Sequence, residues 1–496
     1  MRHLPVLIPI LPLLSALLCL IFSRIERRLG KYAVLAALAA SFFSSVLLLV
    51  KVTQSGENIH YYMGGWMPPL GIEFVVDPIN AVILAVISVV AFFVCMYSQA
   101  FLKESEWLEQ GGFYALFALL SAGLLGMTIT GDMFNLYVFL EIASISGYGL
   151  IALGRGKSVV ASFRYLLLGT IAASFYLLSV AYLYAITGTL NMADMSRLLM
   201  HQLDTPNVLL AVSMLIIAFG LKMALFPLHG WQPDAYTYAH PAAAPIVAGL
   251  MSKAPALALL RYLFSIITVE SIYVEIGLKA IGFLGACGII LGSVMANAQK
   301  DFRRMLAYSS VAQIGYIAVG LSLGSVYGLI AAVYHMVIHA FMKSLLFMVS
   351  GALQYRYGEV SISIDMLGGL NKHMPLTTAS FVVAALSMIG IPPTGGFFSK
   401  WYLLLASLEK GQFLFIAVIV ASSLLNAVYF FRVIENIFIS KDAELTSLQK
   451  EERLEIPFSM LMPIVLFGIA ILAVGLFNSY FVEEIIRLGL PEVLAV

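Results

Sequence analysis

The sequence predicts an all-α polytopic membrane protein of about 14 transmembrane helices, with two inverted five-helix repeats that each contain a broken helix. Three observations lead to this prediction. Hydrophobic residues make up 61% of the chain and charged residues only 11%, whereas an average soluble domain has about 25% charged residues. Apolar runs of spanning length recur along the whole chain, and prolines interrupt two of these runs.

Each predicted span has roughly the 17–25 apolar residues that cross a bilayer core. The runs are residues 4–22, 32–50, 77–98, 113–130, 133–153, 161–186, 207–226, 242–266, 276–297, 305–322, 325–353, 376–404, 413–438 and 458–478. The first run is longer than the apolar part of a signal peptide, so it predicts a retained helix. Residues 58–77 combine Gly, Pro and alternating apolar residues, which predicts a short external hairpin.

Basic residues predict the orientation of the chain. An even number of spans places both termini on one side, and cations are concentrated in the loops that follow odd-numbered spans. This group is Arg24, Arg27, Arg28, Lys31, Arg155, Lys157, Arg164, Lys300, Arg303, Arg304, Arg356, Lys372, Lys441, Lys450 and Arg453. The opposite loops have scattered cations such as Lys51, Arg197 and Lys410. The positive-inside rule therefore predicts a multi-pass protein of the cell membrane with both termini outside the cytoplasm.

The two proline breaks lie five spans apart. Pro227 interrupts the seventh span after Lys222, and the pair Pro392-Pro393 interrupts the twelfth span before Lys400. Because proline lacks an N–H, we expect Pro227 to free the carbonyl of Met223 beside the buried lysine. Units with an odd number of spans are inverted relative to each other. The predicted regions are 1–110 (three helices and the hairpin), 111–270 and 271–440 (the repeats), and 441–496 (a C-terminal helix).

Two further charged residues lie inside predicted spans. Glu141 lies within the fifth span, and Lys253 lies near the middle of the eighth. Charged side chains at this depth are costly and usually functional. The structural alternatives are a protonated Glu141 hydrogen-bonded to a neighbouring helix and a Lys253 that snorkels to the interface. Asp132 and Asn135 begin the fifth span, where helix capping is the better explanation.

The eleventh span has the most specific spacing. His335, His339 and Lys343 recur at intervals of four residues and so share one helical face. At about 1.5 Å per residue they extend over about 12 Å, with gaps that water can bridge. A single buried histidine is usually a satisfied core residue, whereas three titratable groups in register predict a proton relay.

The interior groups are one carboxylate, several lysines and two histidines, which suit protons. Na⁺ prefers a shell of oxygen ligands and is repelled by lysines. A proton that arrives near Glu141 would weaken its attraction to Lys222 and drive another proton onward. We expect no cofactor, no metal and no hydrolase triad, and we interpret the three isolated cysteines as core residues. The net charge of +1 gives no indication of nucleic-acid binding.

These residues resemble the antiporter-like subunits of Mrp-type Na⁺/H⁺ antiporters, membrane-bound hydrogenases and respiratory complex I, over nearly all predicted spans. The matching residues are Glu141, Lys222, Lys253, His335, His339, Lys343 and Lys400. The resemblance implies that the chain translocates protons inside a complex with other membrane subunits and has no cofactor of its own. Whether Na⁺ passes through a partner subunit stays open. Length and the twelfth-span lysine are most similar to the D-type branch of Mrp antiporters or its hydrogenase counterpart.

Two positions qualify the resemblance. Many relatives have His where Tyr236 stands, so His229 or His240 becomes the alternative residue for proton uptake. The last predicted span ends near Asn478, and the long lateral helix of some family members is therefore not expected.

Three functions remain open from the sequence. The first is a proton-translocating subunit of a cation/proton antiporter, and the second is a proton-pumping subunit of a redox-driven complex. The residues that would separate these two belong to other subunits. The third is a solitary carrier of an organic solute, which predicts polar groups that converge on one midplane pocket. The charges here are instead distributed over at least five spans.

Overall fold

The computed structural model describes residues 3–103, 105–154, 156–358, 361–440 and 455–490. Within these ranges, 13 helices are long and apolar enough to cross a membrane. The twelfth predicted span adds one more crossing, because it is divided into two helices of 15 residues each. The predicted helical membrane fold is confirmed. Four cations of the predicted basic loops lie outside the described residues, namely Arg155, Lys441, Lys450 and Arg453.

The first eight spans and the hairpin occupy residues 4–266. Their elements are α1 Leu4–Ile25, α2 Arg27–Ser55, β1 Ile59–Tyr62, β2 Glu73–Val76, α3 Pro78–Ser98, α4 Trp107–Ile129, α5 Met133–Ala152, α6 Ser158–Thr187, α7 Met192–Leu199, α8 Pro206–Met223, α9 Gln232–Tyr238, α10 Ala244–Leu250 and α11 Lys253–Arg261. A π-helical turn, Tyr262–Ile266, continues α11. The seventh span therefore consists of α8 and α9, and the eighth consists of α10, α11 and this turn.

The remaining spans follow in the second half of the chain. Their elements are α12 Ile272–Asn297, α13 Phe302–Ser322, α14 Val326–Tyr357, α15 Leu370–His373, α16 Pro375–Ile389, α17 Gly395–Glu409, α18 Phe413–Ile439, α19 Phe458–Leu476 and α20 Asn478–Phe481. The twelfth span is broken between α16 and α17. The eleventh span, α14, is the most deeply buried of these helices.

The predicted hairpin marks one end of the helix bundle, which we call the hairpin end. Strands β1 and β2 pair antiparallel. His3 hydrogen-bonds the Tyr61 hydroxyl at 3.1 Å, and Gly489 packs against Ile79. Both ends of the described chain therefore lie beside the hairpin, as an even number of crossings requires.

Arg303 fastens the broken seventh span at the opposite end, which we call the basic end. The sequence predicts Arg303 as a loop cation, but it lies in the first turn of α13 and is only 6% exposed. Its guanidinium donates to the backbone oxygens of Tyr236 at 3.0 Å and Ala239 at 2.5 Å, and to Gln354 Oε1 at 3.0 Å. Arg303 is buried because it satisfies the backbone acceptors at the end of α9.

The break in the twelfth span brings two backbone segments into close contact. α16 ends at Gly390, whose φ of 93° is in the left-handed region. The Gly396 N–H then donates to Ser387 Oγ at 3.0 Å. A Cβ atom at Gly396 would overlap the carbonyl oxygen of Ser387. Only glycine therefore allows α17 to approach α16 this closely.

We expect Gly396→Ala to lower the melting temperature of the purified protein, because overpacking of this kind costs about 1–3 kcal/mol. Gly112→Ala is the matched control. Gly112 lies within α4 with no atom near its Cβ position, and alanine favours helix. Fluorescence-detected size-exclusion chromatography after heating measures the melting temperatures of both variants. Equal melting temperatures would contradict the steric interpretation of the break.

Candidate functional site

Glu141 lies on α5 and is half-buried. Its Oε1 atom is buried and has no hydrogen-bond partner among the described residues. The structural alternative requires a hydrogen bond from Glu141 to a neighbouring helix, and the described residues provide no such partner for Oε1. The capping interpretation of the helix start is confirmed, since Asp132 Oδ1 accepts from the Asn135 N–H at 2.7 Å.

Lys222 lies at the end of α8 and is buried. Its Nζ donates to Ser144 Oγ at 2.7 Å. Ser144 follows Glu141 by one helical turn on α5, and Lys222 interacts electrostatically with the Glu141 carboxylate. The serine therefore connects the lysine to the helix that carries the carboxylate.

The expected partner of Lys222, a carbonyl freed by Pro227, is not observed. α8 ends before the proline because Ala224 has a left-handed backbone with a φ of 64°. The Trp231 indole N–H donates to the Leu221 carbonyl at 2.9 Å. The indole and the N–H groups of Ala224 and Leu225, and not the lysine, satisfy this helix end.

Lys253 begins α11 and is only 1% exposed. This burial excludes a snorkelling side chain, and the position is near the middle of the eighth span as predicted. The span is interrupted at this point because Pro255 supplies no N–H to the Met251 carbonyl. Lys253 Nζ donates to Ser252 Oγ at 3.2 Å and to the Ala248 carbonyl at 3.4 Å.

The three titratable groups of α14 share one buried face, as the spacing predicts. The rings of His335 and His339 stack with centroids 5.6 Å apart, and Lys343 Nζ donates to Ser309 Oγ at 2.5 Å. His335 Nδ1 hydrogen-bonds Ser399 Oγ at 3.0 Å. His335 Nε2 and both ring nitrogens of His339 have no partner in the part of the chain that the structure describes. These histidines are therefore not fully satisfied core residues.

Lys400 lies in the twelfth span, on α17, and is buried. Its Nζ donates to the carbonyls of Met388 at 3.0 Å and Ile389 at 2.8 Å, which are left free where α16 ends. Nζ also donates to Ser423 Oγ at 3.1 Å and lies 5.0 Å from the ring centre of Tyr316. The sequence predicts that the seventh-span lysine lies beside a carbonyl freed at the helix break. In the structure, the twelfth-span lysine binds such carbonyls instead.

The buried groups form two electrostatically linked sets. Glu141 and Lys222 make the first set. In the second set, Lys253 interacts with the two histidines and the lysine of α14, and Lys400 interacts with His335. The two sets adjoin at the junction of the seventh and eighth spans, which carry Lys222 and Lys253.

A small cavity lies at this junction. Most of its lining is apolar, and the residues that line it include Lys222, Ser144, Met251 and Pro255. The last two residues flank Lys253 in the chain. The cavity has about 10 Å³ of space for water, which is room for at most one water molecule beside Lys222 and Ser144.

Tyr236 lies on α9 and is fully buried. Its hydroxyl accepts from Gln232 Nε2 at 3.1 Å. His240 lines a separate cavity at the basic end together with Arg303, and His229 stacks on a phenylalanine ring in the break of the seventh span. Neither histidine shares the position of Tyr236.

A family model described as NADH:quinone oxidoreductase/Mrp antiporter, TM matches residues 130–426, more than half of the chain. The chain belongs to this family. It is 47% identical to the N-type subunit of the NADH-quinone oxidoreductase of Desulforudis audaxviator over 99% of both chains. It is 32% identical to the D-type subunit of the Na⁺/H⁺ antiporter of Alkalihalophilus pseudofirmus, over 86% of this chain and 85% of the relative.

A solved structure agrees with these relatives. A chain of the membrane-bound sulfane sulfur reductase, an archaeal respiratory membrane complex, has a TM-score of 0.90 at 30% identity and covers 98% of this chain and 97% of that one. The fold and the family that the sequence predicts are confirmed. This member of the Mrp antiporter and quinone oxidoreductase family is therefore a subunit type found in large membrane complexes.

Each buried lysine of this antiporter-like chain contacts a serine hydroxyl, which the sequence analysis missed. The pairs are Lys222 with Ser144, Lys253 with Ser252, Lys343 with Ser309 and Lys400 with Ser423. Small serines are common in membrane helices, so their presence is not a signal. The adjacency of Ser252 to Lys253 was the only visible indication of these pairs.

The described ranges contain no group of three or more His, Cys, Asp or Glu side chains placed to hold a metal ion. The polar groups of the site are buried lysine, imidazole, hydroxyl and amide groups, together with the half-buried carboxylate of Glu141.

We expect Ser144→Ala to slow transport by about tenfold, since a hydrogen bond to a charged group contributes about 1.5–3 kcal/mol. The measurement is dissipation of an ion gradient in vesicles that contain the assembled complex. Ser146→Ala is the matched control, because Ser146 is also buried on α5 but bonds only the Ile142 carbonyl, at 2.6 Å. Equal rates for the two variants would remove Ser144 from the site.

Proposed function

We propose that this chain translocates protons as a membrane subunit of a multi-subunit cation/proton antiporter of the Na⁺/H⁺ type. The proposed carriers are Glu141, Lys222, Lys253, His335, His339, Lys343 and Lys400. One observation supports this assignment above all others. The buried lysines hydrogen-bond neutral oxygens, and none forms an ion pair with a carboxylate within the described ranges.

Alternation of charge moves the proton in this proposal. A negative Glu141 stabilises the ammonium form of Lys222, and protonation of the carboxylate removes this attraction. Lys222 then releases its proton toward Lys253 through the small cavity at the junction of the seventh and eighth spans. Repulsion between neighbouring cations favours further release toward the α14 groups and finally toward Lys400.

The exposed face of α5 supports contact with a partner subunit. Glu141 lies on the same helical face as Phe134, Val138 and Ile145, which are 47%, 40% and 62% exposed. A carboxylate on a lipid-facing surface is costly. A neighbouring membrane subunit that covers this face removes this cost and can deliver protons to Glu141.

The proposed orientation places the hairpin end outside the cytoplasm, in the cell membrane. The described cations of the basic end, such as Arg28, Lys157 and Lys300, support it through the positive-inside rule. The division into inverted repeats at 111–270 and 271–440 stays a prediction. The broken spans α8–α9 and α16–α17 are the features that favour it.

A redox-driven proton pump is the second candidate. It is favoured by 47% identity over nearly the whole chain to a quinone oxidoreductase subunit and by the likeness to a respiratory complex. Purification of the native complex with identification of its subunits separates the candidates. An antiporter exchanges cations for protons without an electron donor, whereas a redox pump moves protons only while electrons flow. None of the three relatives named above is described as a solitary solute carrier.

Glu141→Gln tests the proposal because it keeps the shape of the side chain and removes the titrating charge. We expect an assembled complex that does not transport, and Glu141→Asp should retain part of the activity. Glu275→Gln is the control, since Glu275 is an exposed glutamate paired with Lys279. Proton flux in Glu141→Gln equal to that of the control would exclude Glu141 from the path.

Lys222→Arg tests whether this lysine must lose its proton. Arginine keeps the positive charge but stays protonated, with a pKa above about 12. We therefore expect an assembled, inactive complex on a native gel, whereas the control Lys279→Arg should transport normally. An active Lys222→Arg complex would make Lys222 a fixed cation and would move the switching step to Lys253 or Lys343.

A further inference from the structure

Gln313 has a buried side-chain amide and is not one of the proposed proton carriers. It lies on α13 and is fully buried. Neither its Nε2 nor its Oε1 has a hydrogen-bond partner among the described residues. Buried amides are almost always hydrogen-bonded, because water solvates them well and an apolar environment does not. An amide with both ends unpaired therefore indicates a bound partner.

Two contacts between α13 and α14 define the surroundings of Gln313. On one side, Ser309 of α13 accepts from Lys343 of α14 at 2.5 Å. On the other side, the ring of Tyr316 packs against the ring of His335 with centroids 5.5 Å apart. The two helices therefore run antiparallel with these pairs in register.

Gln313 and His339 lie in the interval between these two contacts. Gln313 follows Ser309 by four residues and shares its helical face, and His339 lies midway between Lys343 and His335. The two side chains are therefore at the same level of adjoining helices. No direct hydrogen bond joins them.

The unpaired atoms in this interval complement one another. They are both amide atoms of Gln313, both ring nitrogens of His339 and Nε2 of His335. A neutral imidazole has one donor and one acceptor, and an amide has both kinds of group. Buried water typically makes about three hydrogen bonds to groups that lack other partners.

We propose that Gln313 is a positioning residue that binds water between His339 and His335. The inference rests on the proposed proton translocation. The amide nitrogen donates to this water and the amide oxygen accepts from it. When His339 releases a proton to the water, the water gives another of its protons to His335 and is itself regenerated. The amide does not titrate, so it orients the water without trapping the proton.

Gln313→Met tests the role, because methionine has a similar unbranched shape without the amide. We expect about a tenfold loss of proton flux in vesicles with the assembled complex, and a larger rate ratio between H₂O and D₂O. Gln313→Asn should recover part of the rate, since it keeps a donor and an acceptor. Gln110→Met is the matched control, because Gln110 is also buried with an unpaired Oε1 but lies on α4.

A double-mutant cycle with His339→Ala separates positioning from a purely structural role. If both residues bind the same water, the double variant should be no slower than the slower single variant. A wild-type rate in Gln313→Met overturns the proposal. The proposal is also overturned if the rate losses of the two single variants multiply in the double variant while the ratio of rates in H₂O and D₂O is unchanged.

If Gln313→Met does not assemble, Gln313→Asn decides. A raised H₂O/D₂O ratio in this variant supports the water site, and wild-type values overturn it. Two variants distinguish failure of the water site from failure of the proposed function. Loss of flux in Glu141→Gln with normal flux in Gln313→Met rejects only the water site, whereas normal flux in Glu141→Gln rejects the proton path through that carboxylate.

Discussion

Burial of four ammonium groups against neutral oxygens is the constraint on which the structure depends. Each lysine uses a serine hydroxyl, and Lys253, Lys343 and Lys400 also use backbone carbonyls. A hydroxyl donates as well as accepts. The contact therefore survives when the ammonium becomes an amine, because the serine O–H then points toward the nitrogen. A carboxylate partner would instead stabilise only the charged form.

The two broken spans satisfy their free backbone groups in different ways. In the seventh span, the Trp231 indole binds the helix end, and the hydrogen bond of Lys222 goes to the Ser144 side chain. In the twelfth span, Lys400 itself binds the free carbonyls. Lys222 can thus change its charge and position without disturbing the helix, whereas Lys400 changes the helix end when it changes its charge.

Hydropathy and proline positions predicted the spans, the hairpin and both breaks, because these features depend on local composition. The seven proposed carriers were also visible, since charge is rare at membrane depth. The partners of the carriers were not visible. Ser144, Trp231 and Gln313 are ordinary residues in a membrane helix, and their importance depends on which helices meet. Arg303 was misplaced because the positive-inside rule counts charges and not the carbonyls that bury them.

Arg303 also has a consequence for biogenesis. The carbonyls of Tyr236 and Ala239 at the end of α9 are bound by this arginine, which lies on the tenth span. During synthesis the seventh span leaves the ribosome first and must wait for α13 before its end is satisfied. Until then its short second helix has free backbone acceptors, which an apolar environment disfavours. Completion of the broken seventh span thus depends on a helix that is synthesised three spans later.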